Sequence, residues 1–219
     1  MNGSDHPPRK DDGTQAGSQD RGGPLDPGEP PATAGSVDVE RIIARTRAWV
    51  ELAVIGLGLC PFARGPQVQG RIRYRVSTAR DEDTLLSDLV EELRLLARAG
   101  PEQVETTLLV HPCVLGRFED FNQFLEIAEA AVAALGMSGV LQVASFHPDY
   151  RFEGAAPGDI ANATNRSPYP TLHLLREDSV AEAVRAHGDT EAIYQANIRR
   201  LEQLGEEGWA GLRRSIDDA

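Results

Sequence analysis

Apolar and polar positions change their period several times along this chain, and each change marks an element. Ile42, Ile43, Trp49, Val50, Ala53, Val54 and Leu57 recur at helical spacing from a start near Val37, where Ser36 can cap. Gly56, Gly58 and Pro61 signal the end of that helix. Residues 71–76 then alternate strictly, with Ile72, Tyr74 and Val76 against Arg71, Arg73 and Arg75, which reads as a half-buried strand with an arginine face. A second helix starts at Asp81 or Asp83, runs through Leu85, Leu86, Leu89, Val90, Leu93 and Leu96, and stops at Gly100-Pro101. A buried strand, Thr106 to Val110, leads into His111-Pro112. A third helix carries Phe118, Phe121, Phe124, Leu125, Ala128 and Val132 and ends by Gly136, and the strand from Val140 to Phe146 then runs into His147-Pro148.

Residues 148–170 show no period apart from a short helix around Asp159 to Asn165, and an aperiodic connection of that length points to function. Thr171 to Leu175 forms a fourth strand. Two helices close the chain, from about Ser179 and about Asp189, the second with Tyr194, Ile198, Leu201 and Leu204 on its inner face.

This order predicts an α/β fold: a single domain with a small mixed sheet of about four strands and helices packed on it. Right-handed crossovers put the middle helices on one face. The arginines of the first strand suggest that the other face is partly open or covered by the terminal helices. Two strand-His-Pro endings separated by a helix predict that both histidines leave the same edge of the sheet, the edge where α/β proteins bind ligands.

Composition narrows the function classes. Residues 1–35 are rich in Gly, Pro, Asp and Ser with no apolar period, and are expected to be a disordered acidic tail ahead of a domain over residues 36–215. A net charge of −12 argues against general affinity for nucleic acid. No stretch approaches the roughly 18 apolar residues of a membrane span, and the tail has no apolar run of signal-peptide length. The expectation is a soluble, cytoplasmic protein, and two cysteines, too few for a disulfide framework, suit a reducing compartment. Lys10, in the tail, is the only lysine, so the domain holds neither a Schiff-base lysine nor a P-loop lysine, and its basic chemistry falls to Arg and His.

Several strings carry a resemblance. They are Trp49 with Leu59-Cys60-Pro61-Phe62, Thr107 to Pro112, Leu141 to Tyr150, and the long run Asn162-Ala163-Thr164-Asn165-Arg166-Ser167-Pro168-Tyr169-Pro170 continuing to Arg176. Together, from roughly Val37 to Leu212, they resemble the family catalogued as domain of unknown function 1415, DUF1415. The resemblance implies no particular reaction, and no catalytic role is carried over from it.

The residues themselves offer three groups of candidates. His111, His147 and His173, with Asp149 and Cys60, have the inventory of a zinc or iron site if the fourth strand runs antiparallel. The competing reading is that strand-end histidines bond loop carbonyls and order the turns. Cys60 follows a helix C-terminus, where the dipole disfavours a thiolate. It becomes a nucleophile if the following residues start a new turn or if His147 or Arg166 approaches, and otherwise packs on Trp49. Asn162, Asn165, Arg166 and Tyr169 form a polar recognition set in which the arginine fork suits carboxylate or phosphate, while each Asn can equally close an Asx turn. Arg71, Arg73 and Arg75 could bind an anion, but read better as a solvated strand face or an edge protected against aggregation. Gly56-x-Gly58 follows a helix and is no dinucleotide fingerprint.

The leading expectation is an enzyme acting on an anionic small molecule, with His147 or His111 as general base and Arg166 and Asn165 on the anion. Metal-assisted hydrolysis and cysteine-dependent transfer stay open within it. The rivals are a non-catalytic metabolite- or metal-binding protein and an acidic interaction module.

Overall fold

Asp38 starts the domain: its carboxylate accepts from the Arg41 amide at 3.0 Å and caps α1, Val39–Trp49. The structure, a computed structural model, describes residues 37–187 and 190–219, so the expected tail over 1–35, the Ser36 cap and the helix start at Asp189 lie outside the described residues. A π-helical turn, Val50–Ile55, continues α1 within the helix expected through Leu57 and is followed by the short α2, Arg64–Val68, which was not read from the sequence. Then come β1 (Ile72–Val76), α3 (Glu82–Arg98, capped by Asp81), β2 (Thr106–Val110), α4 (Phe118–Ala134) and β3 (Leu141–Phe146). The short helix expected around Asp159 to Asn165 is a 3₁₀ turn, Ile160–Asn165, capped by Asp159. β4 (Thr171–Arg176), α5 (Glu177–His187) and α6 (Thr190–Asp217) complete the chain. Gly205, at φ 69°, breaks α6 in a conformation that glycine adopts without steric cost.

The four strands form one mixed sheet in the order β1-β2-β4-β3. β1 is parallel to β2, and β4 lies between β2 and β3, antiparallel to both. β2 and β3 therefore run in the same direction without being neighbours, and His111 and His147 do leave the same edge.

Side-chain alternation divides the sheet into two faces. Leu109, Leu141, Leu172 and Leu174 pack with Leu85, Leu89, Leu93 and Leu96 of α3 and with Phe121, Phe124, Ala128 and Val132 of α4. Leu108 and Phe146 point the other way, into a core with Trp49, Val50, Ala53, Val54, Leu201, Trp209 and Ile216.

The arginine row of β1 departs from expectation. It is ion-paired: Arg73 bonds Glu92 of α3 through two contacts of 2.7 and 2.9 Å, Arg75 lies 3.6 Å from the same carboxylate, and Arg71 reaches Glu105 at 3.5 Å. Glu92 is only 4% exposed, so it needs these partners. β1 is an edge strand, which lets its long side chains reach α3, while Ile72 and Tyr74 pack toward the opposite core.

Candidate functional site

The parity of β2 and β3 sends both strand-end histidines to the α4 face, where they flank Phe121 with ring centroids at 5.7 Å for His111 and 5.1 Å for His147. Both are fully buried. His147 Nδ1 accepts the Asp149 amide N–H at 3.0 Å, so its proton sits on Nε2 and is donated to the Leu115 carbonyl at 3.2 Å. His111 Nδ1 donates to the Val114 carbonyl at 3.1 Å. The two rings thus hold consecutive carbonyls of one loop, and Leu115 there adopts φ 56°, a left-handed conformation that costs a non-glycine residue roughly 1–2 kcal/mol. Burial pulls the His111 pKa down to about 4 and also lowers that of His147. The loop-ordering reading of these histidines is the one the geometry bears.

His173 lies elsewhere. It pairs with Leu108 and Ala144 in register, on the opposite parity to Leu172 and Leu174, and faces the Trp49 side. The sheet itself separates it from His111 and His147, so the three do not form the expected zinc or iron set. Among the described residues no group of three or more His, Cys, Asp and Glu side chains is placed to hold a metal ion.

Cys60 shares the face of His173: both line a cavity of about 360 Å³ floored by Leu108, Ala144 and Phe146. Burial pushes the Cys60 thiol up, and the Phe62 and Ala63 amides only partly offset this. The residues after Cys60 do start a new turn, but burial still outweighs it, His147 is on the other face of the sheet, and Arg166 lines neither hollow that Cys60 opens onto. Cys60 also opens onto a neighbouring hollow of about 250 Å³ with Thr164 and Asn165.

The aperiodic segment is held by its own polar side chains. Asn162 is fully buried, with Oδ1 accepting from the Phe152 amide at 3.0 Å and Nδ2 donating to the Ala156 carbonyl at 2.9 Å, so it ties the loop together from inside the protein. Asn165 reaches the Ser145 carbonyl at 3.4 Å. Arg166 donates to the carbonyls of Tyr150 at 3.4 Å and Pro157 at 2.8 Å, and Tyr169 accepts from Arg45 Nη1 at 3.0 Å.

Arg166 nonetheless lines a hollow of about 160 Å³ with Arg45, Trp209, Arg213, Ser167 and Asp217. Burial lowers the Arg166 pKa, Asp149 opposes that, and Arg213 adds to it as a like charge. Arg45 spends one Nη on Tyr169 and the other on Asp217. Its Nε is buried without a partner, and so is the indole Nε1 of Trp209, which is only 7% exposed. Two buried donors without acceptors, beside three guanidinium groups, are an arrangement an anion would complete.

Residues 41–211 match the family model described as a protein of unknown function, DUF1415. The chain belongs to this family. No curated protein and no solved structure matches it.

Of the hollows described in this DUF1415 domain, the one lined by three arginines contains only one predicted residue, Arg166. Arg45, Trp209 and Arg213 were not among the sequence candidates. They lie on α1 and on α6 beyond the Gly205 break, and no local motif joins them to Arg166. The available signal was the spacing of Trp209, Arg213 and Ile216, a tryptophan and an arginine one helical turn apart.

Proposed function

We propose that this DUF1415 domain binds a small anionic molecule, a carboxylate or a phosphate, in the hollow lined by Arg45, Arg166, Arg213 and Trp209. One observation carries the reading: Arg45 Nε and Trp209 Nε1 are buried donors without partners, on residues that line the same hollow. An unsatisfied buried donor costs about 1–3 kcal/mol, and an anion there would relieve two of them. The chain as a whole is strongly acidic, so three guanidinium groups around one hollow with a single carboxylate, Asp217, concentrate positive charge locally.

Binding without catalysis fits the geometry better than turnover. His147 has both ring nitrogens bonded to backbone, and His111, which keeps a bare Nε2, is buried; neither lines the arginine hollow. Cys60 is a protonated thiol in a different hollow. Cys60 and Cys113 are unpaired thiols, which suits a cytoplasmic setting.

Calorimetric titration of the full chain with inorganic phosphate and with succinate tests the reading and distinguishes the two anion classes. At least one should bind, and Trp209→Phe, which keeps the ring and removes the N–H, should weaken it about tenfold. Arg213→Gln should weaken it as much or more. If neither anion binds, or both variants bind as the unaltered chain does, the reading is wrong.

A further inference from the structure

The larger cavity, about 360 Å³, is not used by the anion reading, and it falls within the size range of small-molecule sites. Its wall is mostly aliphatic and aromatic: Val50, Val54, Leu108 and Phe146, with Val180 and Ala183 of α5 across from them in the chain. The charged side chains that reach it are already engaged. Arg176 Nη2 donates to carbonyls of Leu96, Ala99 and Val104 at 2.7–2.9 Å, and Glu105 pairs with Arg71. Arg176 Nε is left buried without a partner, but Glu105 stands in the same wall with the opposite charge, so the cavity has no net charge to select an ionic ligand.

His173 supplies one directional polar contact, and its tautomer follows from the bonds around it. Thr106 Oγ1 lies 2.6 Å from the Leu174 carbonyl, which has no proton, so the hydroxyl must donate there. Its contact at 2.8 Å with His173 Nε2 is then an accepted bond, and Nε2 carries the ring proton. Burial pulls the His173 pKa down to about 4, so the ring is neutral at physiological pH. Nδ1 is therefore an acceptor. Cys60 stands in the same wall as an uncharged thiol.

We infer that this cavity is a binding site for a neutral, largely apolar molecule of fused-ring size that donates one hydrogen bond to His173. The site is separate from the arginine hollow, although Trp49 lines both. It takes a different class of ligand, so either assignment can fail without the other.

N-phenyl-1-naphthylamine, neutral and fluorescent in apolar surroundings, is the probe for titrating the full chain. A single saturable site is expected. 1-Naphthol should displace it at about tenfold lower concentration than 1-methoxynaphthalene, which keeps the rings and the oxygen but lacks the donor. Ala144→Phe, which fills the cavity floor, should abolish probe binding and leave phosphate binding unchanged. A footprint on the otherwise unaltered fold covers the case in which that variant misfolds. In a Cys113→Ser chain, saturating 1-naphthol should slow alkylation of Cys60 by N-ethylmaleimide severalfold at alkaline pH. Equal potency of the two naphthalenes, unchanged probe binding by folded Ala144→Phe, or unprotected Cys60 would each overturn the assignment.

Discussion

The two faces of the sheet are built on different terms. On the α3/α4 face, Leu85, Leu89, Leu93, Phe121 and Leu172 are each fully buried, and both histidines there hold a loop, His147 through both ring nitrogens and His111 through Nδ1 with Nε2 left buried and unpartnered. On the opposite face, Trp49 and Leu201 are as deeply buried, yet hollows open beside them, and unpartnered N–H groups line one. The face with the more conspicuous sequence motif, strand-His-Pro twice over, is the closed one. Side chains that look chemical in sequence can be spent on structure, as His147 is, and what marks the anion site is donor capacity left over beside a hollow.

The largest test of this contrast is packing. Phe121→Ala should destabilise the domain by about 3–5 kcal/mol in urea unfolding, because the closed face cannot collapse around the void. Leu175→Ala, on the cavity side where the side chain is only partly buried, should cost about 1 kcal/mol. Equal losses would erase the distinction between the faces.

Acid titration is the next test. The folded pKa of His111, about 4, lies below the ordinary value of 6.5, so between these values the unfolded chain binds more protons than the folded one. Stability should be full above pH 6.5 and fall as the pH drops to about 4, by on the order of 3 kcal/mol for His111 alone. His173, also held near 4, acts in the same window. His111→Gln should flatten part of the slope measured by unfolding at stepped pH, and a profile level from 7 to 4 would contradict neutral buried rings.

Removing His147 frees the Leu115 carbonyl and the Asp149 amide. His147→Ala should cost about 2 kcal/mol of stability, while phosphate affinity, measured calorimetrically on the folded variant, stays as it was. Loss of binding without loss of stability would return His147 to the site. The smallest stability effect belongs to Arg213→Gln: an exposed side chain whose change should alter unfolding by no more than about 0.5 kcal/mol while anion affinity falls.

Much of the architecture was legible from periodicity. The four strands, the two central helices, the Asp159-capped turn and the shared edge of His111 and His147 follow from spacing, proline and glycine. The site was less so, because it depends on register. Whether His173 joins the other histidines turns on its pairing with Leu108 and Ala144, which no local pattern specifies. Arg166 was found because its loop is dense in polar groups, but the bonds that occupy Asn162 are contacts with Phe152 and Ala156 that only coordinates reveal. Arg45, Arg166 and Arg213 meet only once α1 and α6 pack beside the loop, so their convergence has no signature along the chain.

The central claim, that binding capacity resides in the arginine hollow and not at the strand-end histidines, is tested most directly by one nuclear magnetic resonance titration. The ¹⁵N-labelled full chain is titrated with inorganic phosphate, following the Trp209 indole N–H, the Arg45 Nε–H and the imidazole nitrogens of His111 and His147. The indole and guanidinium signals should move together and saturate, with both imidazoles unmoved. Shifts at the imidazoles, with Trp209 and Arg45 silent, would contradict the account.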